Sequence, residues 1–191
     1  MDKKSEDLSA LRQWLLREEY TPILELARDK KRVLSILTAL TYDKDSIISD
    51  HAIKVAGLAA KVIAERDPEY IRNHLLRLFW LVNDESGGIG WRAPELIGEI
   101  LHYCPQFNQF FSMLISLLDL EKEDAPRFRV GTLRAIGRVA QVAREAMLAA
   151  LPQIETLNTP GLDVSTREMA TWCLEQLAPE KSIEEYENAD T

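Results

Sequence analysis

"LIGEIL", residues 96–101, sets a glycine among aliphatic side chains inside a stretch whose apolar spacing is helical. The same arrangement occurs in "VAGLAAKV" (55–62) and "AIGRVA" (135–140), so Gly57, Gly98 and Gly137 recur 41 and 39 residues apart. Glycine in a helix interior costs about 1 kcal/mol relative to alanine, so three at matching places need a packing reason. Close approach of neighbouring helices supplies one, and a period near 40 residues is that of stacked helical hairpins.

Apolar residues elsewhere keep the same helical period, as in Leu75, Leu78, Phe79 and Val82 or Met113, Leu114, Leu117 and Leu118, and no sustained strand-like alternation occurs. Breakers are few: Asp67-Pro68, the glycines at 87–90, Cys104-Pro105, Asp124-Ala125-Pro126 and Thr159-Pro160-Gly161. They predict one N-terminal segment, about 7–28, followed by helix pairs 30–42 with 46–66, 69–83 with 91–103, 107–120 with 126–142, and 144–157 with 164–178. First helices close on "LTYD" (40–43), "LVND" (81–84), "LLDL" (117–120) and "TLN" (156–158).

With these repeat lengths, the turn aspartates, and Asp163, Arg167, Ala170 and Leu174 in "DVSTREMATWCLEQLA" (163–178), the chain resembles HEAT-repeat proteins of the short phycobilisome-lyase-like kind. The resemblance covers about residues 30–178. It implies an all-α, right-handed α-α superhelix of about four HEAT-like helical hairpins. Residues 1–29 are then an N-terminal helical cap, 30–178 the repeat domain and 179–191 an acidic tail. Such superhelices serve unrelated roles, so the resemblance leaves function open.

The bulk numbers narrow the classes. A chain of 191 residues, 46% hydrophobic, is long enough to bury a substantial core. Its formal charge of −8 disfavours a grip on nucleic acid or anionic lipid by bulk electrostatics. Half of that charge sits in the tail from Pro179, where Glu180, Glu184, Glu185, Glu187 and Asp190 face only Lys181. The N-terminus has no secretory pattern and no run reaches the length of a membrane span, which points to the cytoplasm and away from a membrane partner. Cys104 and Cys173 lie inside apolar helical patterns and read as reduced core thiols.

The loop from Asn83 to Arg92 is longer than a helical hairpin needs. Gly87, Gly88 and Gly90 allow it to fold back through positive φ, Trp91 plugs the entry to the next helix, Pro94 suits its first turn, and Glu95 suits its positive dipole end. A structural turn is the favoured role, ahead of a partner-contact loop and of an anion nest assisted by Arg92. On α-helical spacing Arg134 and Arg138 share one face of a locally basic helix. The candidate partner-binding residues are therefore Asp84, Glu85, Gly88, Trp91, Arg92, Arg134 and Arg138.

Catalytic constellations are weaker. Trp80 and Asp84 one turn apart are similar to an arrangement in HEAT-like alkylpurine DNA glycosylases, but a core Trp80 with a solvated Asp84 is the simpler expectation. His51, His74 and His102 fall in separate helices without a His-Glu dipeptide and read as surface or groove residues, so no metal and no cofactor is expected. Phe107, Phe110 and Phe111 read as core. The expected function is a non-catalytic scaffold that presents loops and a concave face to a protein partner. The alternative is an enzyme or enzyme subunit of bilin-lyase-like or glycosylase-like type.

Overall fold

Three small positions decide how the helices stack, and the computed structural model, which describes residues 3–83, 90–120 and 125–178, shows where each one points. A methyl group on Gly98 would fall 2.5 Å from both Cα and Cβ of Ala135, and one on Gly57 would fall 2.7 Å from the Glu99 carbonyl. The Trp172 ring occupies the corresponding place over Gly137. Each glycine thus removes a side chain where one second helix touches the next.

The chain runs α1 (Lys3–Leu16), α2 (Thr21–Asp29), α3 (Arg32–Leu40), α4 (Ser46–Ala64), α5 (Pro68–Asn83), α6 (Ala93–Tyr103), α7 (Phe111–Ser116), α8 (Ala125–Met147), α9 (Leu151–Leu157) and α10 (Val164–Leu177). No β-strand is found among the described residues. α3, α5, α7 and α9 are the first helices of four hairpins, and α4, α6, α8 and α10 are the second ones. The second helices pack mainly on one another, in the order α4, α6, α8, α10. The result is the expected all-α superhelix. Among the described residues, the side-chain hydrogen bonds that leave a hairpin span 31 to 42 residues, about one repeat. That range is the signature of a structure in which each unit meets only its neighbours.

Local chemistry explains the boundaries. Asp45 caps α4 by accepting from the Ile47 amide at 3.0 Å, Asp67 accepts from the Tyr70 amide at 3.0 Å, and Asp163 caps α10 through the Thr166 amide at 2.8 Å. The capping hydrogen bonds of Asp163, first to Ser165 and the Thr166 amide, hold its carboxyl down at about 2. One face of α4 is a run of buried small residues, Ala52, Ala56, Gly57, Ala59 and Ala60, which lets α6 come close.

Three stretches differ from expectation. The N-terminal segment is two helices rather than one, because Glu18 takes a left-handed conformation (φ 56°) and Pro22 starts a new helix. The stretch 107–120 is not one α-helix: Pro105–Phe110 and Leu117–Asp119 are 3-10 turns around α7, with Phe107 outside helical dihedrals (φ −86°, ψ 37°). The break expected near residue 143 is present as a kink, since Ala143 (φ −145°, ψ 49°) interrupts α8, but the helix expected over 144–157 is divided between the end of α8, a 3-10 turn at Leu148–Ala150 and α9.

A single apolar core runs the length of the stack, from Leu11 and Leu15 on α1 to Ala170, Cys173 and Leu177 on α10. Phe107, Phe110 and Phe111 are all buried in it, with Phe110 stacked on Phe79 at 5.8 Å. Both cysteines are free and buried, and burial pushes each thiol up to about 12. Trp80 is a correction: it is 67% exposed. The buried stripe of α5 runs through Ile71, His74, Leu75, Leu78 and Val82, and Trp80, two residues beyond Leu78, falls on the other side of the helix. His74 is a second correction, because it is buried rather than on a surface or in a groove. Its ring stacks on Tyr70 and lies 3.1 Å from the Thr38 hydroxyl, and burial, with some repulsion from Arg77, lowers its pKa to about 4.

Candidate functional site

The second helices leave one face of the stack uncovered, and there they enclose a groove of about 650 Å³. α4 contributes Asp50, His51 and Lys54, α6 Glu95 and Glu99 with Arg92 at its N-terminal end, α8 Arg134, Arg138 and Gln141, and α10 Met169 and Trp172.

Charge pairs step from helix to helix along this floor. Arg92 donates to Asp50 at 2.6 Å and to Glu95 at 3.2 Å, and Arg134 donates to the same Glu95 at 3.1 Å. Arg138 grips Glu99 with Nε and Nη2, a bidentate contact that, first of its causes, raises the guanidinium pKa further. Beyond it Arg138 also donates to Gln141, and Gln141 to Gln176 at 2.8 Å. The carboxylates lie deep, with side-chain exposures of 10% for Glu95 and 14% for Glu99, whereas Arg134 is 52% exposed. Burial of Glu95 and Glu99 is tolerated because each is paired.

Trp172 lines one end of the groove, and Tyr20 stands behind the lining residues at the other. Tyr20 packs edge-on against His51 and lies under the Lys54 ammonium, and His51 donates from Nδ1 to the Leu15 carbonyl at 2.8 Å. At its own end Trp172 covers Gly137 beside Met169. His102 is anchored from behind, with Nδ1 2.8 Å from the Arg138 carbonyl.

Of the residues singled out in the sequence, Arg92, Arg134 and Arg138 come together on this floor. Arg92 is almost wholly buried, and its Nε lacks a hydrogen-bond partner. Trp91 does not line the groove. It is half-buried, with its ring edge-on to Tyr42 at 6.1 Å and flanked by the guanidinium groups of Arg92 and Arg127. Burial raises the Tyr42 phenol to about 12 against the lowering effect of Arg92. Pro94 and Glu95 both sit in the first turn of α6 as expected, and Glu95 is in addition buried and paired with Arg92. Gly90 is needed for closeness rather than for positive φ, since a methyl group on it would meet the Leu81 carbonyl at 2.7 Å. Asp84, Glu85 and Gly88, with Gly87, lie outside the described residues.

Sequence reasoning missed Asp50, Lys54, Glu95, Glu99, Gln141 and Trp172 as groove residues. A signal for several of them was present. Counted from Gly57, Gly98 and Gly137, the positions three residues earlier are Lys54, Glu95 and Arg134, and those one residue later are Leu58, Glu99 and Arg138. Equivalent positions of stacked repeats are neighbours in space, so opposite charges at one register announce an ion pair.

No known family model matches the chain. A protein of Archaeoglobus fulgidus, described only as uncharacterized, is 34% identical over 113 residues. The match takes in 59% of this chain and 56% of that relative, so the chain spans little more than half the relative's length. Among solved structures, a designed armadillo repeat protein in complex with the peptide (KR)4 is similar at a TM-score of 0.49 with 21% identity, covering 90% of this chain and 82% of the other. Armadillo repeat proteins designed for modular peptide recognition are similar at 0.47 with 22% identity over the same shares. No helix among the described residues is long and apolar enough to cross a membrane.

Proposed function

We propose that the chain is a non-catalytic binding scaffold whose groove seats a segment of a protein partner. One observation carries this reading: a single floor runs across four successive second helices, polar on α4, α6 and α8 and apolar on α10, with Arg134 and Arg138 held in place by the carboxylates beneath them. Side chains fixed before a partner arrives lose little entropy on binding, which favours recognition. Adjacent packed helices lie about 8–10 Å apart, so four of them extend over roughly 24–30 Å, the length of about eight extended residues. Trp172 bounds that length at one end, and His51 and Lys54 lie at the other.

In the same reading the repeats are of the short HEAT type, residues 30–178 forming the repeat domain behind an N-terminal cap. The capping role of Asp163 and the full burial of Ala170 support this by giving physical work to two residues of the motif.

The test is to pan a random-peptide display library against the full chain and locate the retained peptides by NMR. Binding in the groove shifts the Trp172 indole and leaves Trp80 unmoved. Retained peptides that shift Trp80 alone, or a library from which nothing is retained, would refute the reading.

A further inference from the structure

We propose that the occupant of the groove is an extended acidic segment of a second protein, carrying one bulky apolar side chain for the Trp172–Met169 end. This rests on the groove being a peptide seat and adds the chemistry of the peptide.

Charge complementarity is the first argument. The floor has four cations, Lys54, Arg92, Arg134 and Arg138, against three carboxylates, Asp50, Glu95 and Glu99, in a chain whose formal charge is −8. The groove is therefore a positive island. Depth sharpens the contrast, because Glu95 and Glu99 lie under arginines while Arg134 and Lys54 reach solvent. Asp50 is the exposed carboxylate, and it is already held by Arg92 at 2.6 Å. A visiting chain thus meets Lys54 and Arg134 together with one exposed carboxylate, Asp50, whose charge is already paired.

Spacing is the second. Arg134 and Arg138 stand one helical turn apart on α8, about 6 Å. Alternate side chains of an extended strand repeat at about 6.6 Å on one face. A strand laid across the second helices meets this pair side by side, so a single outward carboxylate can engage both guanidinium groups, whose planar forks suit carboxylates, and its next outward side chain falls toward the neighbouring helix.

The third argument is the end wall. Trp172 and Met169 are half-buried apolar side chains beside a charged floor, and a thioether next to an aromatic ring accepts varied apolar shapes. One bulky side chain placed there fixes the register of the acidic run. A continuous phosphate backbone fits less well, because the positive groove is a small part of a chain whose formal charge is −8, while a nucleic-acid strand carries negative charge along its whole length.

The experiment uses the full chain and fluorescein-labelled peptides about nine residues long: glutamates with a leucine near one end or the other, the same peptides with serine for leucine, and lysines or serines with leucine in those positions. A labelled oligothymidine is included, and anisotropy is read from about 50 to about 200 mM salt. The better-bound glutamate–leucine peptide is expected to bind at least about tenfold tighter than its lysine counterpart and to weaken with salt. Arg134→Gln and Lys54→Gln, both at exposed positions and checked for helicity, should each weaken it about threefold to tenfold. Trp172→Phe should reduce the advantage of leucine over serine, and Met169→Ser gives the same readout should that variant fold poorly.

Preference for the lysine or serine peptides, with Trp172-dependent binding, would overturn the acidic assignment and leave the peptide seat standing. Tighter, Arg134-dependent binding of oligothymidine would overturn it in favour of nucleic acid. Binding of the acidic peptide only after Glu184→Gln, Glu185→Gln and Glu187→Gln would identify the chain's own tail as the occupant. Absence of binding by every peptide would remove both the assignment and the seat.

Discussion

Arg138 on α8 holds Glu99 on α6 through two nitrogens, Nε to Oε1 at 2.6 Å and Nη2 to Oε2 at 3.0 Å. The pair ties two second helices side by side at a place where both side chains are mostly out of solvent, at 24% and 14% exposure. Removing either partner leaves the other charge with its desolvation uncompensated. Glu99→Ala and Arg138→Ala should each cost about 1–3 kcal/mol, read as a lowered urea midpoint at unchanged slope. Arg138→Lys should recover only part of this, because an ammonium cannot engage both carboxylate oxygens in parallel.

Glycines at Gly98 and Gly131 should respond to alanine with opposite signs. At Gly98 the new methyl group meets Ala135 Cα and Cβ at 2.5 Å, neither of which can rotate away, so the helices must separate. We expect a loss of about 1–3 kcal/mol despite the gain in helix propensity. At Gly131 the nearest atom is Glu95 Cγ at 3.4 Å, an ordinary contact with a side chain. Gly131→Ala should be neutral or stabilise by up to about 1 kcal/mol. Thermal unfolding of the two variants checks both signs.

His74 should impose an acid limb on stability. Burial, then Arg77, lowers its folded-state pKa to about 4 from an ordinary 6.5. Because the folded value lies below the unfolded one, the unfolded chain takes up the proton first as pH falls. Stability from keeping the ring neutral is whole above about pH 6.5 and is lost progressively down to about pH 4, on the order of 3 kcal/mol. Carboxylates titrate in the same window, so the readout is a difference. Urea midpoints of wild type and His74→Gln from pH 7 to about 4.5 should converge as pH falls. Parallel curves would show that His74 does not titrate as described.

Cys104 and Cys173 should be inert in the native state. Both are fully buried, and burial pushes their thiols up to about 12, so almost no thiolate exists near neutrality. Iodoacetamide at about pH 8 should modify neither until denaturant is added, and mass spectrometry of labelling against urea concentration should trace the unfolding curve. Rapid native labelling of Cys173 would mean that α10 opens independently of the rest.

Several features were legible because they are local or periodic. Asp45, Asp67 and Asp163 announce helix starts, and the recurrence of Gly57, Gly98 and Gly137 fixes both the repeat and the face on which second helices meet. Trp80 was misplaced although the information was present, since the buried stripe of α5 excludes it on angular grounds. Arg92 was expected at a recognition surface, yet it is buried between Asp50 and Glu95, which are 42 and 3 residues away from it. No local pattern of charges around residue 92 indicates that burial.

The sequence alone determined the all-α stack, its period and the contact points between second helices, because helix spacing, caps and missing side chains act over one turn or recur at a fixed interval. Tertiary structure alone decided which of the charges that recur across that interval are buried and which reach solvent. It set Glu95 beneath Arg92 and Arg134, Glu99 beneath Arg138, and Trp172 at the groove's end. The reason is geometric: a shift of one residue in the register between two helices turns a side chain by about 100° and exchanges a groove position for a core one.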